Sequence, residues 1–222
     1  KRKKVYLIED CAEAFGCYYK DKHLGTFGDI GTFSFFGSKT ITTGEGGMVI
    51  TNNKKLAKKI YKFKTVGVVS NKNYWHDLIG YNYRMTNICA AIGLAQLNRA
   101  KFILRNKIRV YKIYKKFLKK NFFSINNESP YTKSSFWLIT IFLNNKKKRD
   151  QLRTKLEKSG IETRTTFNPV HKMKMYYKKG FKNLFPNSEI LSNTGLNLPS
   201  GASLKEGEIK KISNIINNFF KT

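Results

Sequence analysis

Acidic residues are scarce in this chain. Its 222 residues hold 14 Asp and Glu against 43 Lys and Arg, a formal charge of +29. That balance suits an anionic partner: nucleic acid, an anionic membrane surface or an anionic small substrate. It also has a blander reading. The charge falls as Lys-Lys pairs along helical stretches (Lys54-Lys55, Lys58-Lys59, Lys115-Lys116, Lys119-Lys120), mixed with many Asn, Ile and Phe, as in an AT-rich coding bias. Charge runs of this kind are usually solvated faces. Cysteine is nearly absent. Cys11, Cys17 and Cys89 form no CxxC pair and have no His spacing for zinc, so no metal site is expected. An odd count with no signal peptide fits a reducing cytoplasm. No apolar run nears the roughly 20 residues of a membrane helix, so no membrane partner is expected. No internal repeat is visible.

What is present alternates between two periods. Val5–Ile8 is a continuous apolar run ending in Glu9-Asp10, the pattern of a strand buried on both faces in a parallel sheet. Asp10 falls just past its carboxyl end, where such sheets place ligand groups. Cys11–Phe15 reads as a short helix closed by Gly16. Residues 25–36, "GTFGDIGTFSFF", hold a turn and a strand, and 46–52, "GGMVITN", another strand. Leu56–Phe63 is helical, and Ile88–Lys120 has one long helical periodicity. Then come a strand at 134–143, a helix at Lys146–Ser159 closed by Gly160, a strand at Ile161–Phe167 and a last helix at Ile209–Phe220. This alternation predicts an α/β fold with a small α+β appendage. The expected division is 1–105 for the larger unit and 106–222 for a linking helix and a small C-terminal domain.

One lysine stands apart from the clusters. In "TFSFFGSKTITTGEGGMV" (32–49), Lys39 follows an apolar strand and has no charged neighbour before Glu45. Ser34, Ser38, Thr40, Thr42 and Thr43 offer hydroxyls to an anion, and Gly44-Glu45-Gly46-Gly47 offers backbone N–H groups at close approach. Asp10 adds a carboxylate at another strand's end. A directed lysine, a carboxylate and a hydroxyl-lined anion site are together what pyridoxal 5'-phosphate requires. Each part also has an ordinary reading: a solvated turn lysine, a helix N-cap at Asp10, a plain glycine hairpin.

The wording resolves the choice. "IEDCAEAFG" (8–16) followed by "GTFGDIGTFSFFGSKTITTGEGGMVITN" (25–52) resembles the signature of the DegT/DnrJ/EryC1/StrS family of pyridoxal-phosphate-dependent sugar aminotransferases. "HDLIGYNYRMTNICAAIGLAQL" (76–97) is similar to the family's next block. "GIETRTTFNPVHKMKMY" (160–176) and "GLNLPS" (195–200) resemble its C-terminal domain. The resemblance implies a type I aminotransferase fold, with part of the large domain followed by the small one. It implies Lys39 as Schiff-base lysine and proton shuttle, Asp10 on the pyridine nitrogen and Ser34 on the cofactor phosphate. Asn82 would reach the phosphate in a neighbouring subunit, making a homodimer with shared sites. Glu13 takes a place near the ring hydroxyl where many members carry Gln. Arg84 and His171 are substrate-side candidates, against the plainer readings of an ion-paired arginine and a loop histidine.

The implied reaction moves an amino group from L-glutamate to C4 of a nucleotide-linked 4-keto-6-deoxy sugar. The wording is nearest to members that aminate GDP-4-keto-6-deoxymannose for bacterial O-antigen. A UDP- or dTDP-linked ketosugar is the alternative within the family. Family members carry a long segment before the strand that starts at Val5. The chain opens with Lys directly into that strand, as a fragment does, so an inactive truncated product is a further alternative. The alternative of another class is a basic nucleic-acid-binding protein. Against it, the aromatics follow core periodicity and no binding module's motif is present.

Overall fold

The computed structural model describes residues 5–69, 71–119, 121–178 and 184–221. In chain order its elements are β1 (Ile8–Asp10), β2 (Tyr18–Tyr19), β3 (Lys22–His23), β4 (Ile30–Ser34), β5 (Gly47–Ile50), α1 (Lys54–Lys64), α2 (Asn87–Asn98), α3 (Ala100–Phe117), β6 (Phe123–Ile125), β7 (Thr132–Lys133), β8 (Ile139–Leu143), α4 (Lys146–Lys158), β9 (Arg164–Thr165), α5 (Pro186–Thr194), β10 (Gly195–Leu198) and α6 (Glu206–Phe219), with a 3-10 turn at Val170–Lys172. The chain divides into two compact units. One runs to Leu104 and includes Ser129–Ser135; the other takes Arg105–Glu128 and Phe136 onward.

The first unit is built on a sheet of order β1-β4-β5. β1 runs parallel to β4 with Asp10 opposite Thr32, and β5 returns antiparallel with Gly47 opposite Ser34. The parallel pair is decisive for function, because it brings the carboxyl ends of β1 and β4 to one edge of the sheet. A small second sheet, β3-β2-β7, pairs Tyr18–Tyr19 with the excursion at Thr132–Lys133. Beneath the main sheet, Phe35, Ile41 and Ala100 form a small core with Phe15, Phe33 and Ile103 against it.

The second unit has a four-stranded antiparallel sheet, β6-β8-β10-β9. Ile139 and Ile141 of β8, Leu196 and Leu198 of β10, Leu152 and Leu156 of α4, and Ile209, Ile212 and Ile216 of α6 share one core. Local chemistry sets α4. The Asn145 side chain accepts from Lys148 N at its start, and Gly160 adopts a φ of 74° just past its end. Lys107 is buried in this unit, and its Nζ donates to Trp137 O at 2.7 Å and Ser200 O at 2.8 Å. Burial pushes its amine down to about 8.

Several expected elements differ. The strand expected at Val5–Ile8 pairs only over Ile8–Asp10; Val5, Tyr6 and Leu7 precede it and are exposed, and Ile8 is 63% exposed. Its expected burial on both faces is absent: Glu9 is half-buried, the other residues from Val5 to Asp10 are exposed, and among the described residues β1 has one strand neighbour, β4. Cys11–Phe15 forms consecutive turns rather than a helix, with Ala14 N on Cys11 O and Cys17 N on Ala14 O. The single helix expected over Ile88–Lys120 breaks at Arg99 into α2 and α3. Asn98 and Arg99 interrupt the apolar stripe there, and the chain re-aims to bury Ala100. The strand expected from 134 starts only at Ile139, since Phe136 sits at a φ of 48°, outside any strand geometry. The strand expected over Ile161–Phe167 shrinks to two residues. Ser70 and Lys120 lie outside the described residues.

Candidate active site

The loop after β4 is tied down by its own backbone. Phe35 N donates to Gly46 O and Thr43 N to Phe35 O, both at 2.9 Å, closing the loop that holds Lys39. Lys39 N donates to Phe36 O at 2.9 Å, which turns the chain at the lysine. Thr40, Ile41 and Thr43 are buried and anchor it. Two of the hydroxyls expected to serve an anion are spent on the loop itself. Thr42 Oγ1 donates to Phe35 O at 3.0 Å, and Thr43 Oγ1 to Glu45 O at 2.7 Å. Glycine is required at Gly46, whose φ is 150° and where a Cβ would stand 2.5 Å from Thr43 Oγ1. The Lys39 side chain is only 15% exposed, and its Nζ lies 3.4 Å from Glu13 Oε1.

Asp10 ends β1 on the same sheet edge. Its Oδ1 accepts from Ala12 N at 3.0 Å, which aims the side chain while leaving it exposed. No helix follows it, so it caps none. Ser34 ends β4, and its Oγ accepts from Phe36 N at 3.3 Å, so that bond does not use the hydroxyl hydrogen. Asn82 and Arg84 lie on an extended segment held beside the end of α1. Tyr81 N donates to Phe63 O at 2.7 Å and Tyr83 N to Lys64 O at 3.0 Å, and both side chains, Asn82 and Arg84, are exposed. Thr86 caps α2 through Cys89 N. A Cβ on Gly93 would stand 2.7 Å from Thr43 Cγ2, so α2 lies directly against the lysine loop. His171 belongs to the second unit. Its Nε2 lies 3.2 Å from Glu189 Oε1, and Lys172 Nζ lies 2.6 Å from Glu189 Oε2. The bonds from Lys172 and then His171 hold Glu189 below the usual carboxylate range.

Sequence reading missed Glu9. Its carboxylate accepts from Gly25 N at 2.7 Å, Phe27 N at 2.7 Å and Gly28 N at 2.6 Å. This folds the 25–28 turn over the end of β1, next to Asp10. The signal was the glycine spacing of "GTFGDIG": a Cβ on Gly31 would stand 2.3 Å from Gly25 O, so only glycine lets the turn close. Burial raises the Glu9 carboxyl, but the N–H groups of Gly28, Gly25 and Phe27, with the Lys22 charge, outweigh it and hold the group below its ordinary value. Glu9→Gln is expected to cost about 2 kcal/mol, because an amide presents one acceptor where three donors converge. A depressed carboxyl contributes stability above its unfolded value of 4.5 that is lost as pH falls through the lower folded value. Urea unfolding should therefore show a constant gap between wild type and variant at neutral pH that closes in acid. An unchanged gap in acid would remove the charge from the explanation.

The chain belongs to the DegT/DnrJ/EryC1/StrS aminotransferase family, which it matches over residues 1–217. It is similar to the GDP-perosamine synthase of Escherichia coli O157:H7, 49% identical over 220 residues, covering 99% of this chain and 60% of that one. The GDP-perosamine synthase of Vibrio cholerae is 48% identical over 218 residues, covering 97% and 59%. Among solved structures, Helicobacter pylori PseC, an aminotransferase involved in the biosynthesis of pseudoaminic acid, superposes with a TM-score of 0.91 at 26% identity, covering 99% of this chain and 61% of that one. The chain thus spans about 60% of the length of the curated relatives it matches. Its α/β fold is the type I fold of pyridoxal-phosphate-dependent aminotransferases, over part of its extent. The residues fit that cofactor. A shielded amine, an aimed carboxylate and a serine hydroxyl stand at the carboxyl ends of β1 and β4, and the glycine turn allows close backbone approach. Among the described residues no group of acids, histidines and cysteines could hold a metal, and no helix is long and apolar enough to cross a membrane.

Proposed function

We propose that the protein is a sugar aminotransferase that moves an amino group from L-glutamate to C4 of a GDP-linked 4-keto-6-deoxy sugar. The observation that supports this best is the Lys39 side chain, shielded on a loop that follows β4, with Asp10 and Ser34 ending the parallel strands β1 and β4 at one sheet edge. The 49% identity to a GDP-perosamine synthase supports the substrate class. Pyridoxal phosphate, when bound, supplies an electron sink for charge developing at the carbon beside the amine. Lys39 would hold it covalently and, as a positioned acid and base, would carry a proton at its Nζ. Asp10 would keep the pyridine nitrogen protonated. Ser34 would donate to its phosphate, and Asn82 would donate to the phosphate held by a second subunit in a homodimer. Glu13 lies beside the lysine. Arg84 in the first unit and His171 in the second are each substrate-side candidates, and Glu189 holds the His171 ring at 3.2 Å. The basic surface raises the local concentration of a diphosphate-linked sugar. We place the reaction in the cytoplasm, where the three free thiols stay reduced.

The test is amino transfer by the purified protein supplied with cofactor, L-glutamate and one ketosugar at a time. The expected result is 2-oxoglutarate formed at the highest kcat/KM with the GDP-linked sugar. A preference for the UDP- or dTDP-linked sugar would overturn the substrate class. No amino transfer with any of them would overturn the activity.

A further inference from the structure

Lys39 Nζ and Glu13 Oε1 are 3.4 Å apart, with the lysine side chain 15% exposed and the glutamate 49%. The separation brings an acid to the one amine that has to react. Condensation of an amine with an aldehyde uses the nitrogen lone pair. In an ion-paired lysine a third proton occupies that pair, and it has to leave before the nitrogen can attack. A carboxylate within reach provides for this, and such contacts are commonly loose before the ligand arrives. A glutamine in its place could hold the amine by a hydrogen bond but has no place for the proton.

We propose that Glu13 is the base, and then the acid, for attaching the cofactor's aldehyde to Lys39. This rests on Lys39 being the attachment lysine. In the first step Glu13 Oε1 takes one proton from the Lys39 ammonium. The freed lone pair forms a bond to the aldehyde carbon, and the carbonyl π electrons move to oxygen. One nitrogen proton passes to that oxygen. Glu13 returns its proton to the resulting hydroxyl, the C–O bond breaks and water leaves. The nitrogen lone pair closes the C=N bond, leaving one proton on nitrogen. An ammonium and an aldehyde have become a protonated C=N group and water, with the charge unchanged and Glu13 restored. Two features make Glu13 suited to both halves. Its partial exposure lets the carboxylate follow the moving proton, and its place after β1 keeps it beside the rigid lysine loop. Asp10 is less suited, because Oδ1 is already held by Ala12 N at 3.0 Å.

The test follows cofactor loading rather than turnover. The full protein is stripped of cofactor and mixed with pyridoxal phosphate, and loading is followed by absorbance. Samples are reduced with borohydride at intervals and mapped by mass spectrometry. Glu13→Gln is expected to load about 100-fold more slowly but to the same final extent. Glu13→Asp should recover part of the rate. Added acetate should accelerate Glu13→Ala and leave the wild type unchanged, which a purely structural role would not produce. Equal or faster loading of Lys39 in Glu13→Gln, or no acetate effect, would overturn the role of Glu13 while leaving the attachment at Lys39 intact. Label on a different lysine would overturn both.

Discussion

Lys39→Ala is expected to abolish stable cofactor attachment and to slow the glutamate half-reaction by at least about 10⁴-fold, near 5 kcal/mol of transition-state stabilisation. The loss is chemical, not structural. The loop is held by Phe35 N on Gly46 O, Thr43 N on Phe35 O and the buried Ile41, none of which uses the lysine side chain. The variant should keep its far-ultraviolet spectrum and lose both the attached nucleophile and the proton carrier. Many of the chain's 43 Lys and Arg residues are surface lysines that will react loosely with an aldehyde. The informative readout is therefore stoichiometry after borohydride reduction, with peptide mapping: one label per chain in the wild type and none at one dominant site in the variant. Stoichiometric label on another lysine, with amino transfer retained, would show that the lysine has been wrongly assigned.

The second large effect is expected at Asp10. Asn in its place can still accept from Ala12 N, so the turn after β1 survives. What is lost is the negative charge proposed to keep the pyridine nitrogen protonated. Amino transfer should fall on the order of a thousand-fold, about 4 kcal/mol, with little change in unfolding midpoint. This separates Asp10 from its neighbour. Glu9→Gln should chiefly lower stability, because its carboxylate is bound by three backbone N–H groups. Near-normal turnover in Asp10→Asn would place the required carboxylate elsewhere.

The residues themselves determined what depends on near neighbours. Strand runs repeat every two residues and helix stripes every 3.6, so β4, β5, α1, α4 and α6 were legible to within a few positions. Asn145 and Gly160 mark the ends of α4 because capping is settled within one turn of chain. Lys39 stood out for the same reason: its isolation between an apolar strand and a glycine turn is a local pattern. The strand-end positions of Asp10 and Ser34 were legible because each closes an apolar run.

Tertiary structure decided what depends on distant neighbours. The break at Arg99 reflects the burial of Ala100 against Phe35 and Ile41, which no window around Arg99 contains. The left-handed Phe136 stacks on Tyr111 with ring centroids 3.6 Å apart, a contact that local propensity cannot foresee. Glu9 meets its three donors 16 to 19 residues away, and Glu13 meets Lys39 26 residues away. Both meetings depend on the parallel register that sets Asp10 opposite Thr32. A slip of one residue in that register would turn Glu9 to the other face of the sheet and shift Glu13 relative to the lysine loop. Composition and period specify that β1 and β4 are strands, but only packing of the whole unit selects the register that brings a carboxylate to the lysine.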